Sequence, residues 1–389
     1  MPGTNILAIN ILFHPESHFG NNIYNGLIER LCNEEAVTLE MDFKVPILSI
    51  PYDARDRILP QFNPKLWKSY DLNIVLVVLD TKLTQDCTNL SFLTFLIEFE
   101  KQNANTRVIP VIDTINIGNS SQTKLFQETN ILRPLVFLLN NTMGIPETIE
   151  SAMPIFYIEF YHLLIKLFVN NTLGGEIEKV TLFLSHTKHG GLDIALKLKS
   201  AILNLTQLNK FFDVYDIQIG EYFEQEIQNW IKKPEILFLT ILTDQYASRQ
   251  VCKMEVLYAK MHHKPILTIN GIDKFERRSF PYLNNTLVIK WIDSPSKILE
   301  IIETGLREFL RTVVVMREMC NFVSENSIDT HKCITSPPEL LTISQLIDTF
   351  PRGKNITIVY PSPFIDEQER QLLANISPNI KFINPWQIP

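Results

Sequence analysis

The chain has 389 residues, 45% hydrophobic and 20% charged, enough for two or three globular domains with full cores. Its formal net charge of −7 leaves no basic surplus to neutralise phosphates, which argues against nucleic acid as a bulk partner. Its apolar runs fall short of a bilayer span, and the short apolar start, Ile6 to Phe13, runs directly into His14-Pro-Glu, unlike a signal peptide. The five cysteines, Cys32, Cys87, Cys252, Cys320 and Cys333, are scattered and form no Cys-x-x-Cys pair. That usage fits a reducing cytoplasm and argues against structural zinc.

In chain order, residues 6–13 read as a buried strand, and Ile23, Leu27 and Leu31 then recur at helical spacing. His14, Glu16 and His18 are metal-ligand types, but Pro15 and Gly20 make the stretch a solvated or capping loop. Pro46 to Pro51 is a short extended piece. Asp71 to Asp80 and Arg107 to Asp113 read as further buried strands, with a covered helix over Phe92 to Phe99 between them. Strands alternating with helices predict a parallel, helix-covered sheet. Residues 153–169, rich in Phe, Tyr, Leu and Ile, predict a helix packed against this first domain. The segment Asn170-Asn-Thr-Leu-Gly-Gly175 then reads as a linker.

Past the linker, Val180-Thr-Leu-Phe-Leu-Ser-His186 is a strand ending in Ser-His, and the stretch from Phe211 to Gly220 is a strand followed by an acidic, glycine-ended loop. Ile236 to Leu242 is apolar except for Thr240 and is closed by Thr243-Asp244, as a buried strand delivered into a polar loop would be. Cys252, Val256 and Ala259 mark the following helix, with Glu255 in its first turn or two. Ligands of open α/β sheets bind beside the carboxyl ends of strands, so a carboxylate there is a candidate for chemistry on a sugar or a phosphate ester. Lys264 to Ile269 and Val288 to Trp291 complete the run of strands.

This order resembles the TIR (Toll/interleukin-1 receptor) domain. Phe183-Leu-Ser-His186 looks like its first box, Asp216-Ile-Gln-Ile-Gly220 like its BB loop, and Ser248-Arg-Gln-Val-Cys252 with Glu255 like the Ser-x-x-Trp-Cys-x-x-Glu signature of TIR domains that consume NAD. Val251 stands where many relatives have Trp. The resemblance implies a flavodoxin-type parallel sheet and Glu255 as the catalytic carboxylate, with NAD+ a substrate rather than a bound cofactor. Beside Glu255, Ser185 and His186 line the nicotinamide side, unless Ser185 merely caps a helix. Asp244 and Ser248 hold the loop, with Asp244 or Thr243 able to cap its turn. Arg249 meets a phosphate, a neighbouring subunit or solvent. Phe212 and Tyr215 stack on a ring or pack locally, and Asp216 is the acidic residue of the BB loop. Cys252 is a packed side chain rather than a nucleophile, since His262 and His263 lie at the far end of its helix. Tyr215, Gln218 and Gly220 belong to the loop through which TIR domains dock on one another.

The N-terminal part parallels this one: Ile74 to Asp80 matches Leu237 to Asp244, and Glu100 precedes Pro110 as Glu255 precedes Pro265. It is either a diverged copy or an unrelated α/β unit of similar pattern. Beyond a helix from Ile298 to Val315, a strand over Asn355 to Tyr360, an acidic helix start at Asp366 and a last strand from Lys381 predict a small α/β unit of two strands and two helices. The expected map is residues 1–174, 175–305 and 306–389. The expected function is a cytoplasmic TIR NAD+ hydrolase or cyclase, a bacterial anti-phage or stress effector switched on by self-association and an activating protein or nucleotide. The alternative is a non-catalytic TIR scaffold.

Overall fold

A computed structural model describes residues 6–32, 45–51, 69–85, 90–112, 121–128, 149–172, 176–211, 223–273, 280–283, 285–350 and 354–387. The protein is α/β, with every strand pairing among these residues parallel. It divides into two compact units, and the chain passes from one to the other at Phe156 and Tyr157.

The first unit holds four strands, β1 (Leu7–Phe13), β2 (Ile47–Pro51), β3 (Leu72–Leu79) and β4 (Thr106–Ile112), in the order β2-β1-β3-β4. Both β1 and β3 are buried at every residue, as their unbroken apolar runs require of strands covered on both faces. The helices are α1 (His18–Leu31), α2 (Thr81–Gln85), α3 (Leu90–Gln102) and α4 (Ser121–Glu128). Ser17 caps α1 by accepting from the Gly20 amide at 2.8 Å, and His14 Nδ1 accepts from the Glu16 amide at 3.1 Å. The stretch between His14 and His18 is a capping loop.

Helix α5 (Ile149–Thr172) crosses from one unit to the other. It was expected to pack on the first domain, but from Tyr157 onward it belongs to the second unit. Glu159 accepts from the Gln207 amide at 2.8 Å and His162 Nε2 from the Val180 amide at 3.3 Å. Tyr157, Phe160, Tyr161, Leu164, Ile165 and Phe168 are all buried. A helix apolar nearly all round has no solvent face from which to read its partner.

The second unit contains β5 (Thr181–Ser185), β6 (Asn209–Phe211), β7 (Ile236–Leu242), β8 (Ile266–Asn270) and β9 (Leu287–Lys290), in the order β6-β5-β7-β8-β9. Its helices are α6 (Leu192–Leu205), α7 (Phe223–Lys232), α8 (Gln250–Met261) and α9 (Pro295–Glu325). Alternation along β7 splits its side chains between two faces. Phe238 joins a cluster with Ile227, Ile231 and Val256 from α7 and α8, while Leu237 and Leu239 face Gly305 of α9.

Residue 305, the expected end of this domain, lies inside α9, which begins behind the cap of Ser294 and continues to Glu325. Beyond it, β10 (His331–Cys333), β11 (Ile356–Val359) and β12 (Ile380–Ile383) form a third sheet in that order, with α10 (Leu340–Thr349) and α11 (Glu367–Ile376). This layer has its own core of Ile343, Leu346, Ile358, Tyr360 and Phe382, yet it belongs to the same compact unit as the five-stranded sheet. Strand β10 is too short to show a period and was not anticipated.

The first two sheets share their strand order as far as their fourth strands, and β3 and β7 occupy the same place in it. Glu100 and Glu255 do not correspond. Glu100 sits near the end of α3, where burial raises its pKa, whereas Glu255 sits midway along α8. Pro110 lies within β4 and Pro265 precedes β8. No helix among the described residues is long and apolar enough to cross a membrane.

Candidate functional site

The chain leaves β5 toward the edge strand β6 and leaves β7 toward β8 on the other side. The carboxyl ends of β5 and β7 therefore flank a topological switch point, the place where open α/β sheets form a crevice. Ser185 is the last residue of β5 and is buried. After β7 the chain makes a short 3-10 turn, Tyr246–Ser248, then enters α8, which carries Glu255 into the same gap.

These residues form a buried chain of hydrogen bonds. Tyr246 OH and Ser185 Oγ are 2.6 Å apart, and Ser185 Oγ donates to Glu255 Oε2 at 2.5 Å. Because serine has one proton to give and spends it on the carboxylate, Tyr246 must be the donor to Ser185. The second distance lies in the range of a charge-assisted O–H···O⁻ bond. Burial, then the charge of Glu255, drive the Tyr246 pKa well above its ordinary value, so the phenol keeps the proton it donates.

A cavity of about 520 Å³ opens above this chain, within the usual range of small-ligand sites. Glu255, His186, Arg249 and Cys252 line it, with Phe183 and Phe211 among its apolar walls. His186 Nδ1 lies 2.9 Å from the Leu184 carbonyl; the ring therefore donates through Nδ1 and, when neutral, accepts through Nε2. Cys252 Sγ points to the His186 carbonyl at 3.6 Å. Burial and then the Glu255 charge push its thiol pKa up to about 12, leaving almost no thiolate at neutral pH. Val251 also lines the cavity and is exposed.

The arrangement brings Ser185, His186, Arg249, Cys252 and Glu255 together. Asp244 and Ser248 lie in the connecting loop and do not line the cavity. The Gln245 side chain at the start of the Tyr246–Ser248 turn does not cap it, and the Tyr246 amide donates to the Thr243 carbonyl at 2.9 Å. The Thr243 hydroxyl turns instead to that of Thr187, 3.1 Å away, and Ser248 Oγ bonds the Gln245 carbonyl at 2.7 Å. Ser185 caps no helix, since its hydroxyl is committed to Glu255. Phe212, Tyr215, Asp216, Gln218 and Gly220 lie outside the described residues. Tyr246 was not singled out in the sequence. Its signal is an aromatic residue with a hydroxyl in the turn just past a buried strand, where a polar end needs a partner.

The cavity offers one fixed, buried carboxylate to a ligand, between apolar walls and the basic side chains of His186, Lys188, His189 and Arg249. It suits ligand hydroxyls, which can donate to the carboxylate, and centres that gain positive charge.

No family model matches the chain, and no curated protein matches it. Among solved structures, the tagatose-6-phosphate ketose/aldose isomerase of Escherichia coli is similar at 9% identity over 82% of this chain and 83% of its own, with a TM-score of 0.23. A likeness that loose bears on neither the site nor its chemistry.

Proposed function

We propose that this chain cleaves the bond between nicotinamide and ribose in NAD+, with Glu255 as the catalytic residue. The observation that carries the reading is the Ser185–Glu255 hydrogen bond, which fixes a buried carboxylate in the wall of a ligand-sized cavity. The sequence resemblance to NAD-consuming TIR domains points to the same glutamate.

Nicotinamide leaves as a neutral base, so the reaction needs no strong acid at the leaving group. It needs a negative charge close to the ribose as that ring acquires oxocarbenium character. Glu255 supplies the charge and accepts hydrogen bonds from ribose hydroxyls. Ser185, held by Tyr246, orients one carboxylate oxygen and leaves the charge in place. His186 and Arg249 lie on the same wall, to meet the nicotinamide and the phosphates respectively. Water yields ADP-ribose, whereas attack by an atom of the nucleotide itself yields a cyclic isomer. The same reading makes the protein a cytoplasmic defence or stress effector, activated by self-association and by a protein or nucleotide signal.

Nicotinamide release from NAD+ by the purified full-length chain, with and without a crowding agent, tests the reading. Release that Glu255→Gln abolishes supports it. Self-association without release at any protein concentration would instead identify a TIR scaffold.

A further inference from the structure

A second pocket, of about 180 Å³, lies within the second unit at the amino-terminal ends of β8 and β9. It is bounded by Lys260 and Lys264 around the end of α8, the start of β9, and Arg311 on α9. The loops after β10 and β11, represented by Ser336 and Ser362, close it. Those two loops leave the carboxyl ends of adjacent parallel strands, so the pocket occupies the ligand-binding edge of the third sheet.

Its charged groups are mostly basic. The Lys260 side chain is 5% exposed and pairs with Glu339 Oε1 at 3.3 Å, too poorly aligned to leave its Nζ well hydrogen-bonded. Arg311 forks onto Glu308 with two bonds of 2.9 Å. The Lys264 ammonium is held by the Lys232 and Lys233 carbonyls at 3.2 and 2.7 Å. Lys260, Lys264 and Arg311 thus line the pocket with one lining carboxylate, Glu308, while Glu339 pairs with Lys260 and Glu235 lies near Lys264. Hydroxyls converge from α9 and from both loops, and the space is too small for a nucleobase with its sugar. Burial alone drives the Lys264 pKa down to about 8 and leads the fall at Lys260, so an anion that restored the charged forms would bind with favourable linkage.

We propose that this pocket binds a small tetrahedral phosphate, either inorganic phosphate or the phosphoryl group of a small ester, through Lys260, Arg311 and the hydroxyls of the two loops. A buried ammonium with three donors, met only by a poorly aligned Glu339, is matched by an oxyanion with several acceptors. The site is independent of NAD+ cleavage, and its failure would leave that reading untouched.

The test is calorimetric titration of the full chain with inorganic phosphate at constant ionic strength, repeated with ribose 5-phosphate. One saturable site is expected, weakened by about tenfold or more in Lys260→Met, which removes a charged donor. Ser336→Glu places a carboxylate at the pocket from a partly exposed loop position. It should weaken binding similarly, and it decides the matter if Lys260→Met does not fold. Tighter binding of ribose 5-phosphate identifies an ester as the natural ligand; tighter binding of phosphate identifies the free ion. Absence of saturable binding by either probe overturns the proposal, as does wild-type affinity in Ser336→Glu.

Discussion

Ser185 and Glu255, seventy positions apart in sequence, meet through one hydrogen bond of 2.5 Å at the junction of β5, β7 and α8. The serine is caught between a phenol that gives it a proton and a carboxylate that takes one. The carboxylate is therefore positioned by two groups that do not themselves line the cavity.

Replacing Glu255 with Gln should preserve the fold, because the amide oxygen can still accept from Ser185. It removes the charge that stabilises an oxocarbenium-like ribose, so NAD+ cleavage should fall by about a hundredfold or more. Initial-rate measurement of nicotinamide release, paired with a thermal melt, checks both halves. Near-wild-type turnover would remove Glu255 from the catalytic role.

Ser185→Ala should lower stability and turnover together. It strips a partner from buried Tyr246 and buried Glu255, at a cost of about 1–3 kcal/mol. Adding Tyr246→Phe removes the stranded phenol and should recover part of that stability without restoring turnover. Urea denaturation of the single and double variants reads the difference.

The cysteines should differ sharply in reactivity. Cys320 is exposed, and a hydrogen bond from Cys333, with Arg317 and His331 nearby, lowers its pKa to about 6. Cys252, buried and pushed up to about 12, should resist alkylation until the protein unfolds. Iodoacetamide should label Cys320 well ahead of Cys252 at neutral pH, because the thiolate is the nucleophile. Peptide mapping after brief labelling at neutral pH would show whether Cys252 is modified first, which would contradict this order.

Gly305 is where α9 packs against Leu237, Leu239 and Leu267 of the five-stranded sheet. A Cβ there would stand 2.9 Å from Leu237 Cδ2. Gly305→Leu should destabilise by about 1–3 kcal/mol through overpacking. Gly305→Ala should cost less, since alanine gains up to about 1 kcal/mol of helix propensity. Chemical denaturation ranks the two, and equal stability of wild type and Gly305→Leu would mean that the leucines yield freely.

If assembly controls the activity, specific activity should climb with protein concentration. Constant specific activity from nanomolar to tens of micromolar, with no oligomer by light scattering, would exclude that control.

The strands around Glu255 were legible because burial on both faces demands unbroken apolar runs, and the run from Ile236 to Leu242 coincides with β7. The helix of Glu255 was legible from the spacing of Cys252, Val256 and Ala259. What could not be read was which polar groups meet across the sheet. Ser185 and Tyr246 each look like ordinary loop-edge residues until β5 and β7 are placed side by side. The expected boundary at 305 falls inside the helix already legible from Ile298 to Val315, which runs on to Glu325 and packs Gly305 against the sheet. The pairing of Glu100 with Glu255 rested on distance to a proline, and a proline inside β4 marks a different place from one before β8.

The unbroken run of α9 has a practical consequence for anyone shortening the chain. At 1.5 Å per residue its 31 residues make a rod of about 46 Å. A fragment stopping at 305 would discard Leu306, Phe309, Leu310 and Val313, all buried. The five-stranded sheet would then lose part of its lid, and the remaining piece would begin with those same side chains bare to water. Neither half would be a domain in its own right. Fragments meant to isolate the Glu255 site should keep the rod whole, together with the third sheet at its end.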